Sequence, residues 1–245
     1  MIDFLCIGAQ KSGTTLLYEH LSKIEEVCFP AVKELHFFDN DINYFKGKNH
    51  YLKNFIHSKK DEIKGEITPA YLFFDKVPRR IKETIKNQDL KFIVILRNPI
   101  DRAYSQYNMS KFTQKHEKYS FEQALIYENY RQNEYKDFVN FSYIQRGFYS
   151  KQILNYFKYF KKENFKFIIF EDFVTKQEQY INEILQFVRG GGGMYYQIEN
   201  KKVFSNEYTP MEKSIREILS KIYEEEITLL ENIIDIDLSI WRETI

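Results

Sequence analysis

Two hydrophobic patterns divide this chain into strands and helices. Short continuous apolar runs, rich in β-branched and aromatic residues, are typical of strands that are covered on both faces. Runs of this kind at residues 4–7 and 91–96 predict strands at 3–8 and 91–96, and the other strand candidates are 63–67, 165–170 and a shorter one at 27–29. Apolar positions with a helical period predict helices between them. Their approximate ranges are 14–24, 76–87, 100–113, 121–134, 148–161, 176–188 and 211–232.

The alternation of strands and helices predicts an α/β fold with a central, mostly parallel sheet flanked by helices. The alternation thins after residue 170, so the C-terminal portion is expected to be helical. Ser120 followed by Gln123 is a capping box, which predicts that a helix begins at residue 121. The 245 residues suit one domain, 1–245, and they contain no internal repeat.

Composition narrows the classes of function. Lys and Arg number 36 against 35 Asp and Glu, so no global field attracts nucleic acid or an anionic membrane. No apolar run approaches the roughly 20 residues of a membrane span, and we expect no leader before the first strand. Cys6 and Cys28 lie in apolar surroundings and are expected to be reduced, buried thiols, which favours a cytoplasmic location. The oligomeric state is not determined by the sequence.

The segment between the first strand and the first helix has the composition of an anion site. Unpaired N–H groups and the helix dipole attract anions to a helix N-terminus, and a nearby lysine adds a full charge. The residues expected to bind phosphate are Lys11, Ser12, Gly13, Thr14 and Thr15. In nucleoside triphosphatases a lysine follows the second glycine and a Ser or Thr binds magnesium. Here Thr14 follows Gly13, so this is a different kind of loop.

A second anion site is predicted where strand 91–96 ends. The next residues are Arg97, Asn98 and Pro99, and proline suits the first turn of a helix. Arg97 therefore lies at the carboxyl end of an inner strand, where open α/β sheets place ligands. Ser105 follows about two helical turns later, and an arginine with a hydroxyl suits a phosphate dianion.

These motifs, in this order and spacing, resemble sulfotransferases that use 3′-phosphoadenosine 5′-phosphosulfate (PAPS), in particular the heparan-sulfate type and related bacterial domains. Lys11–Thr15 is similar to the family's 5′-phosphosulfate loop and Arg97–Ser105 to its 3′-phosphate motif. Further segments are similar to the base segment (32–39), the acceptor segment (65–71), the Arg-Gly-x-Tyr segment (145–149) and the final cofactor-covering loop (204–211). The resemblance spans residues 2–241 and implies a three-layer P-loop-like fold.

The resemblance implies transfer of a sulfuryl group from PAPS to a hydroxyl or amine, with adenosine 3′,5′-bisphosphate (PAP) as product and no metal. The acceptor would be a glycan first, then a lipid or small molecule. Glu34 matches the family's general base, and Lys11 would pair with the bridging oxygen. His36 is a competing base, since imidazole titrates near neutrality, or a packed histidine. Ile67 departs from the pattern, because several members carry lysine there.

The resemblance also assigns the remaining cofactor contacts. Arg97 and Ser105 would bind the 3′-phosphate, with a strand-end ion pair as the alternative for the arginine. Arg146 and Tyr149 either touch the nucleotide or pack at the start of a helix. Two other functions stay open. One is a P-loop kinase, although the sequence contains neither the Gly-Lys-Ser/Thr loop nor the magnesium-binding carboxylate that a kinase needs. The other is a non-catalytic nucleotide-binding protein of the same fold.

Two segments have unusual composition. Residues 46–60 contain five lysines and two histidines without an acid, which suits either an anionic acceptor or a solvated surface. Residues 190–193 are four glycines, which predict a flexible connector and not a phosphate loop.

Overall fold

The computed structural model describes residues 1–201 and 209–242. These form two compact units, one of Met1–Leu96 with 155–201 and one of Arg97–Leu154 with 209–242. The expectation of a single domain stays a prediction. The strands are β1 (Phe4–Gly8), β2 (Val27–Cys28), β3 (Ile63–Ile67), β4 (Lys91–Leu96) and β5 (Phe165–Ile169).

Eleven α-helices lie within the described ranges. They are α1 (Thr14–Leu21), α2 (Asp41–Tyr44), α3 (Lys48–Lys53), α4 (Val77–Thr84), α5 (Pro99–Asn108), α6 (Phe121–Ile126), α7 (Tyr135–Phe141), α8 (Tyr149–Phe157), α9 (Phe170–Phe173), α10 (Gln177–Arg189) and α11 (Lys213–Ile234). A π-helical turn, Met109–Thr113, continues α5, and 3₁₀ turns occupy Pro69–Leu72, Asn129–Arg131, Gln145–Gly147, Lys162–Asn164 and Ser239–Trp241. None of these helices has the length and apolar character that a transmembrane segment requires.

The first unit is built on a five-stranded sheet in the order β2-β3-β1-β4-β5, and every described pairing in it is parallel. One face, including Ile93 and Ile95, packs against the apolar sides of α1 and α10. On the other face the ring of Phe92 packs against Tyr156 and Phe160. Because both faces are covered, the inner strands β1 and β4 are continuous apolar runs, and the predicted sheet is confirmed.

Gly65 shows why the inner part of the sheet needs a residue without a side chain. Its register partner on β1 is Phe4, whose ring would lie 2.0 Å from a Cβ atom at position 65. Any larger residue would force the ring out of the core. The glycine therefore allows β3 to carry Glu66 into the interior, which matters for the site described below.

The predicted helix at 121–134 is wrong in its second half. Its capping box at Ser120 is confirmed, but α6 ends at Ile126. Glu128 is buried and its carboxylate accepts the backbone N–H groups of Ile144 and Gln145. This carboxylate binds a segment distant in sequence, which a helical period cannot reveal. The short helices α2, α3, α7 and α9 were not predicted, because four to seven residues carry too little periodicity.

The four glycines after α10 all adopt positive φ angles, from 74° to 106°. Gly190 is the left-handed residue that ends the helix, as glycine commonly does. The chain then returns along α10, where the side-chain amides of Asn182 and Gln177 bond both backbone groups of Tyr196 and Lys201. The glycines thus form a reversal that docks residues 196–201 on their own helix.

Candidate functional site

The loop after β1 has the geometry of an anion cradle. Gly13 precedes α1 with φ 85°, no side chain caps the helix, and no acid lies in its first turn. The first N–H groups of a helix have no intrahelical acceptor, so those of Thr14 and Thr15 are directed at the loop. Ser12 Oγ is buried and has no hydrogen-bond partner among the described residues. A bound phosphate or sulfate oxygen would satisfy these donors, so the loop fits an anion.

Three predicted site residues adopt the left-handed backbone conformation that side chains disfavour. They are Lys11 with φ 69°, Glu34 with φ 61° and His36 with φ 47°. Within residues 1–201 and 209–242, only two other non-glycine residues share this conformation. Such backbone strain is concentrated at functional sites in proteins, because the surrounding structure must hold it in place.

Lys33 connects the segment of the proposed base to the anion loop. Its Nζ atom donates to Thr15 Oγ1 at 3.1 Å and to Glu34 Oε1 at 2.9 Å. The Glu34 side chain is 36% exposed, so the carboxylate is open to a substrate. The Lys33–Glu34 pair is therefore not an isolated surface ion pair, because the Lys33 ammonium also contacts Thr15 in the first turn of α1.

His36 lies between two carboxylates. Its Nδ1 atom bonds Oδ2 of the buried Asp39 at 2.8 Å, and its Nε2 atom is 3.7 Å from Glu34 Oε2. Burial alone lowers the pKa of His36, but the hydrogen bond to Asp39 and the charge of Asp39 outweigh it. The pKa of His36 is therefore raised, which favours the imidazolium form. Asp39 was not identified from the sequence, although it follows His36 by only three residues.

The raised pKa of His36 makes a prediction about stability. A raised folded-state pKa stabilises the protein below the ordinary histidine pKa of about 6.5, and the gain is lost as pH rises through the folded value. Compared with His36→Gln, the natural protein should have its larger melting-temperature advantage at pH about 6 and a smaller one at pH about 9. Paired thermal melts measure the difference. An advantage that grows with pH would contradict the assigned charge.

A buried glutamate holds the base segment in place. Glu66, at the end of β3, accepts hydroxyl hydrogen bonds from Tyr51 at 2.7 Å, Thr68 at 2.8 Å and Tyr71 at 2.6 Å. Tyr71 Oη in turn accepts the backbone N–H of Phe37 at 3.0 Å. Burial raises the pKa of Glu66, and the three hydrogen bonds oppose that shift. Sequence reasoning missed this network, although Glu66, Thr68 and Tyr71 all lie in the segment 65–71 that resembles the family's acceptor segment.

Ile67 follows Glu66 in the chain but has a different environment. It is 2% exposed and belongs to the apolar core of the first unit. This position therefore supplies no charge to an acceptor.

The second unit contains the other predicted cofactor residues. Tyr149 Oη donates to the carbonyl oxygen of Arg97 at 3.0 Å, which fixes the backbone where the arginine projects. Ser105 is nearly buried on α5. Arg146 is 3% exposed, and its Nη2 atom lies 3.5 Å from the carbonyl oxygen of Phe138. The structure thus joins Tyr149 to Arg97, whereas the burial of Arg146 suits the packing alternative.

The structure bears in different degrees on three further expectations: the cofactor-covering loop, the metal and the cysteines. The predicted cofactor-covering loop, residues 204–211, lies mostly outside the described residues. Among residues 1–201 and 209–242, no group of three or more His, Cys, Asp or Glu side chains could hold a metal ion. Cys6 and Cys28 are free and buried, as predicted.

The parallel sheet and the anion-cradle geometry of the loop before α1 define an α/β protein with a loop suited to a phosphate. The family model described as Sulfotransferase domain matches residues 1–191, so the chain belongs to the sulfotransferase domain family. The sequence is similar to heparan sulfate glucosamine 3-O-sulfotransferase 5 of Mus musculus, 33% identical over 177 residues. That match covers 70% of this chain and 49% of the mouse protein, so the chain spans about half of that relative's length.

Solved structures agree with this assignment. A sulfotransferase from Alicyclobacillus acidocaldarius superposes with a TM-score of 0.80 at 26% identity, covering 99% of both chains. The mouse sulfotransferase SULT7A1, solved in complex with PAP, has a TM-score of 0.52 at 19% identity and covers 79% of this chain and 60% of its own. The second likeness shows the fold alone. The predicted family and fold are confirmed.

Proposed function

We propose that this chain is a sulfotransferase that moves a sulfuryl group from PAPS to a hydroxyl or amine acceptor, with a glycan as the first candidate. The observation that carries the proposal is the contact of Lys33 with both Thr15 and Glu34. It joins an anion loop to an exposed carboxylate, and sulfuryl transfer needs both of these groups. Membership of the family supports the reaction type.

The loop after β1 is proposed to bind the 5′-phosphosulfate. PAPS, when bound, supplies a sulfuryl group whose bond to the 5′-phosphate breaks. The chain's part is to hold that phosphate and to absorb the charge it gains. The N–H groups at Gly13, Thr14 and Thr15, with Ser12 Oγ, are donors suited to that task. Lys11 is proposed to neutralise the bridging oxygen as it becomes the leaving group.

Glu34 is proposed to remove the acceptor's proton. Its carboxylate takes the proton from the acceptor O–H or N–H, while the acceptor atom forms the new bond to sulfur and the 5′-phosphate leaves with the electron pair. We propose a different part for His36. Its raised pKa favours the imidazolium form, whose Nε2 atom would lie 3.7 Å from Glu34 Oε2 and would orient that carboxylate. We therefore propose Glu34 as base and His36 as its positioning residue.

Arg97 and Ser105 are proposed to bind the 3′-phosphate. A guanidinium and a hydroxyl give the charge and the hydrogen-bond geometry that a phosphate dianion requires. The hydrogen bond from Tyr149 to the Arg97 carbonyl supports the proposal, because it fixes the origin of that side chain. Arg146 is proposed only to support the fold around it.

The name of the mouse relative supports a glycan as acceptor. It is a heparan sulfate glucosamine 3-O-sulfotransferase. A labelled-sulfate transfer screen over glycan, lipid and small-molecule acceptors, read by mass spectrometry, tests the acceptor class.

Nucleotide binding tests the donor site. PAP without magnesium should raise the melting temperature, and ATP with magnesium should raise it clearly less. Arg97→Ala should weaken PAP binding about 10- to 150-fold, because it removes hydrogen bonds to a charged group. Arg79→Ala, at an exposed arginine of α4, is the matched control and should change nothing.

The rival functions give different results in the same experiment. Preference for ATP with magnesium would favour a kinase and overturn the proposal. PAP binding without transfer to any acceptor class would favour the non-catalytic alternative. A melting temperature of Arg97→Ala that falls without any nucleotide would show a structural role for the arginine instead.

A further inference from the structure

The segment that contains α2 and α3 combines exposed apolar and basic side chains. Ile42, Phe45 and Ile56 are 75%, 81% and 84% exposed, and each is large enough to belong in a core. Residues 42–60 also contain five lysines and no acid, in a chain whose net charge is only +1. We call this stretch, residues 42–60, the α2–α3 surface. Large apolar side chains beside a concentrated positive charge mark an interaction surface.

The exposed apolar residues are not displaced core residues. The core side of the segment is filled by other rings: Tyr44 and Tyr51 pack against Phe37 at 5.6 and 4.8 Å, and Phe55 packs against Tyr51 at 5.7 Å. Tyr51 is further fixed by its hydrogen bond to the buried Glu66. These rings fill the inner face of the segment, and Ile42, Phe45 and Ile56 remain exposed on its outer side.

The charges of the α2–α3 surface are available to a partner. Asp41, which precedes the surface in sequence, is already engaged by Lys76 and Arg80, and Asp61 and Glu62 follow the surface directly. Lys59 lies 3.8 Å from Glu62, whereas Lys48 and Lys53 have no ion pair within the described ranges.

We propose that the α2–α3 surface binds the surface of an anionic lipid membrane. Phe45 and Ile56 would enter the boundary between headgroups and acyl chains, and the lysines would face the phosphates and carboxylates of the headgroups. The type of cation favours lipid over other partners. Lysine is depleted in protein interfaces, and arginine is the better residue for the fixed carboxylate and sulfate groups of a glycan. Residues 42–60 contain no arginine.

The proposal goes beyond the proposed activity and does not depend on it. Tyr44 and Tyr51 both contact Phe37, which lies three residues after Glu34. A membrane-bound α2–α3 surface would therefore bring the base segment to the lipid headgroups. Membrane binding can be measured without any sulfate transfer, so the failure of one proposal is distinct from the failure of the other.

Vesicle sedimentation of the full chain tests the proposal. The natural protein should sediment with vesicles of equal parts phosphatidylcholine and phosphatidylserine, and much less with phosphatidylcholine alone. The triple variant Lys46→Gln, Lys48→Gln, Lys53→Gln should bind about 100-fold more weakly, from about fivefold for each lysine. The double variant Phe45→Ser, Ile56→Ser should also lose binding, which a purely electrostatic contact would not show.

Matched controls use exposed residues elsewhere in the chain. The triple variant Lys151→Gln, Lys158→Gln, Lys162→Gln and the double variant Phe112→Ser, Tyr130→Ser should bind as the natural protein does. A tryptophan placed by Phe45→Trp should shift its emission to the blue on anionic vesicles, whereas one placed by Phe112→Trp should not. Thermal melts confirm that each variant is folded.

Two outcomes would overturn the proposal. One is binding of the natural protein to anionic vesicles no stronger than that of the triple variant of Lys46, Lys48 and Lys53. The other outcome is a natural protein that binds heparin beads but not vesicles. In that case the triple variant would lose heparin binding and the double variant of Phe45 and Ile56 would keep it. The second result would assign the α2–α3 surface to a polyanionic glycan.

Discussion

Glu34→Gln is expected to lower kcat by about 10²- to 10⁴-fold, the usual contribution of a positioned general base. The amide is isosteric with the carboxylate and can still accept the hydrogen bond from Lys33, but it cannot take the acceptor's proton. The affinity for PAP should be unchanged, because the nucleotide contacts are assigned to other residues. Initial rates of sulfate transfer and calorimetric PAP binding measure the two quantities separately.

Glu25→Gln is the matched control for this prediction, since Glu25 is an exposed glutamate in the turn after α1. It should leave both kcat and PAP binding unchanged. If His36→Gln lowered kcat more than Glu34→Gln did, the imidazole would be the base and the assignment of roles would be reversed. Equal losses of kcat and of PAP affinity in Glu34→Gln would instead show that the substitution had disturbed the loop.

Glu66→Ala is expected to destabilise the protein by about 3 kcal/mol or more. The substitution leaves three buried hydroxyl groups, those of Tyr51, Thr68 and Tyr71, without their acceptor, and each unsatisfied buried group costs about 1–3 kcal/mol. It also leaves a cavity beside the aromatic cluster. Equilibrium unfolding in urea measures the free energy of unfolding. Glu66→Gln should cost less, because one amide oxygen remains as an acceptor.

The control for Glu66 is Glu83→Ala on α4, where the side chain is half exposed and a change within about 0.5 kcal/mol is expected. A double-mutant cycle of Glu66→Gln with Tyr71→Phe isolates the contact, and a coupling energy of about 0.5–3 kcal/mol is expected for groups in one network. No coupling between them would show that Tyr71 acts independently of the carboxylate. If Glu66→Ala lowered the free energy of unfolding as little as Glu83→Ala does, the hydrogen-bond network around Glu66 would not stabilise the site.

The sequence predicted the parts of the fold that depend on residues close together in the chain. All five strands were found within about one residue of their ends, and the clearest of them, β1 and β4, are continuous apolar runs because they are covered on both faces. The strand, the glycine turn and the helix start around the proposed anion loop were also predictable, since they occupy one uninterrupted segment. The capping box at Ser120 is local in the same sense.

The rest of the site was not predictable, because it joins residues separated in sequence. Lys33 donates a hydrogen bond to Thr15, which lies 18 residues earlier in the chain. The hydroxyl of Tyr71 connects the carboxylate of Glu66 to the backbone N–H of Phe37. The resemblance named Glu34 as base and His36 as its competitor. The hydrogen bond of His36 to the buried Asp39, which raises the pKa of His36, adds a physical reason for the proposed order, and no local pattern of the sequence could supply it.

By itself the sequence determined the α/β class, the parallel strands and the strand–turn–helix segment of the proposed anion loop, since period, β-branched runs and glycine placement act over a few residues. Only the tertiary structure decided which charges meet. It placed the Lys33 ammonium between the loop and Glu34, and it turned the rings of Tyr44 and Tyr51 inward so that Phe45 and Ile56 face solvent. Electrostatic pairing and burial depend on distance in space, and the chain fixes that distance only when it is folded.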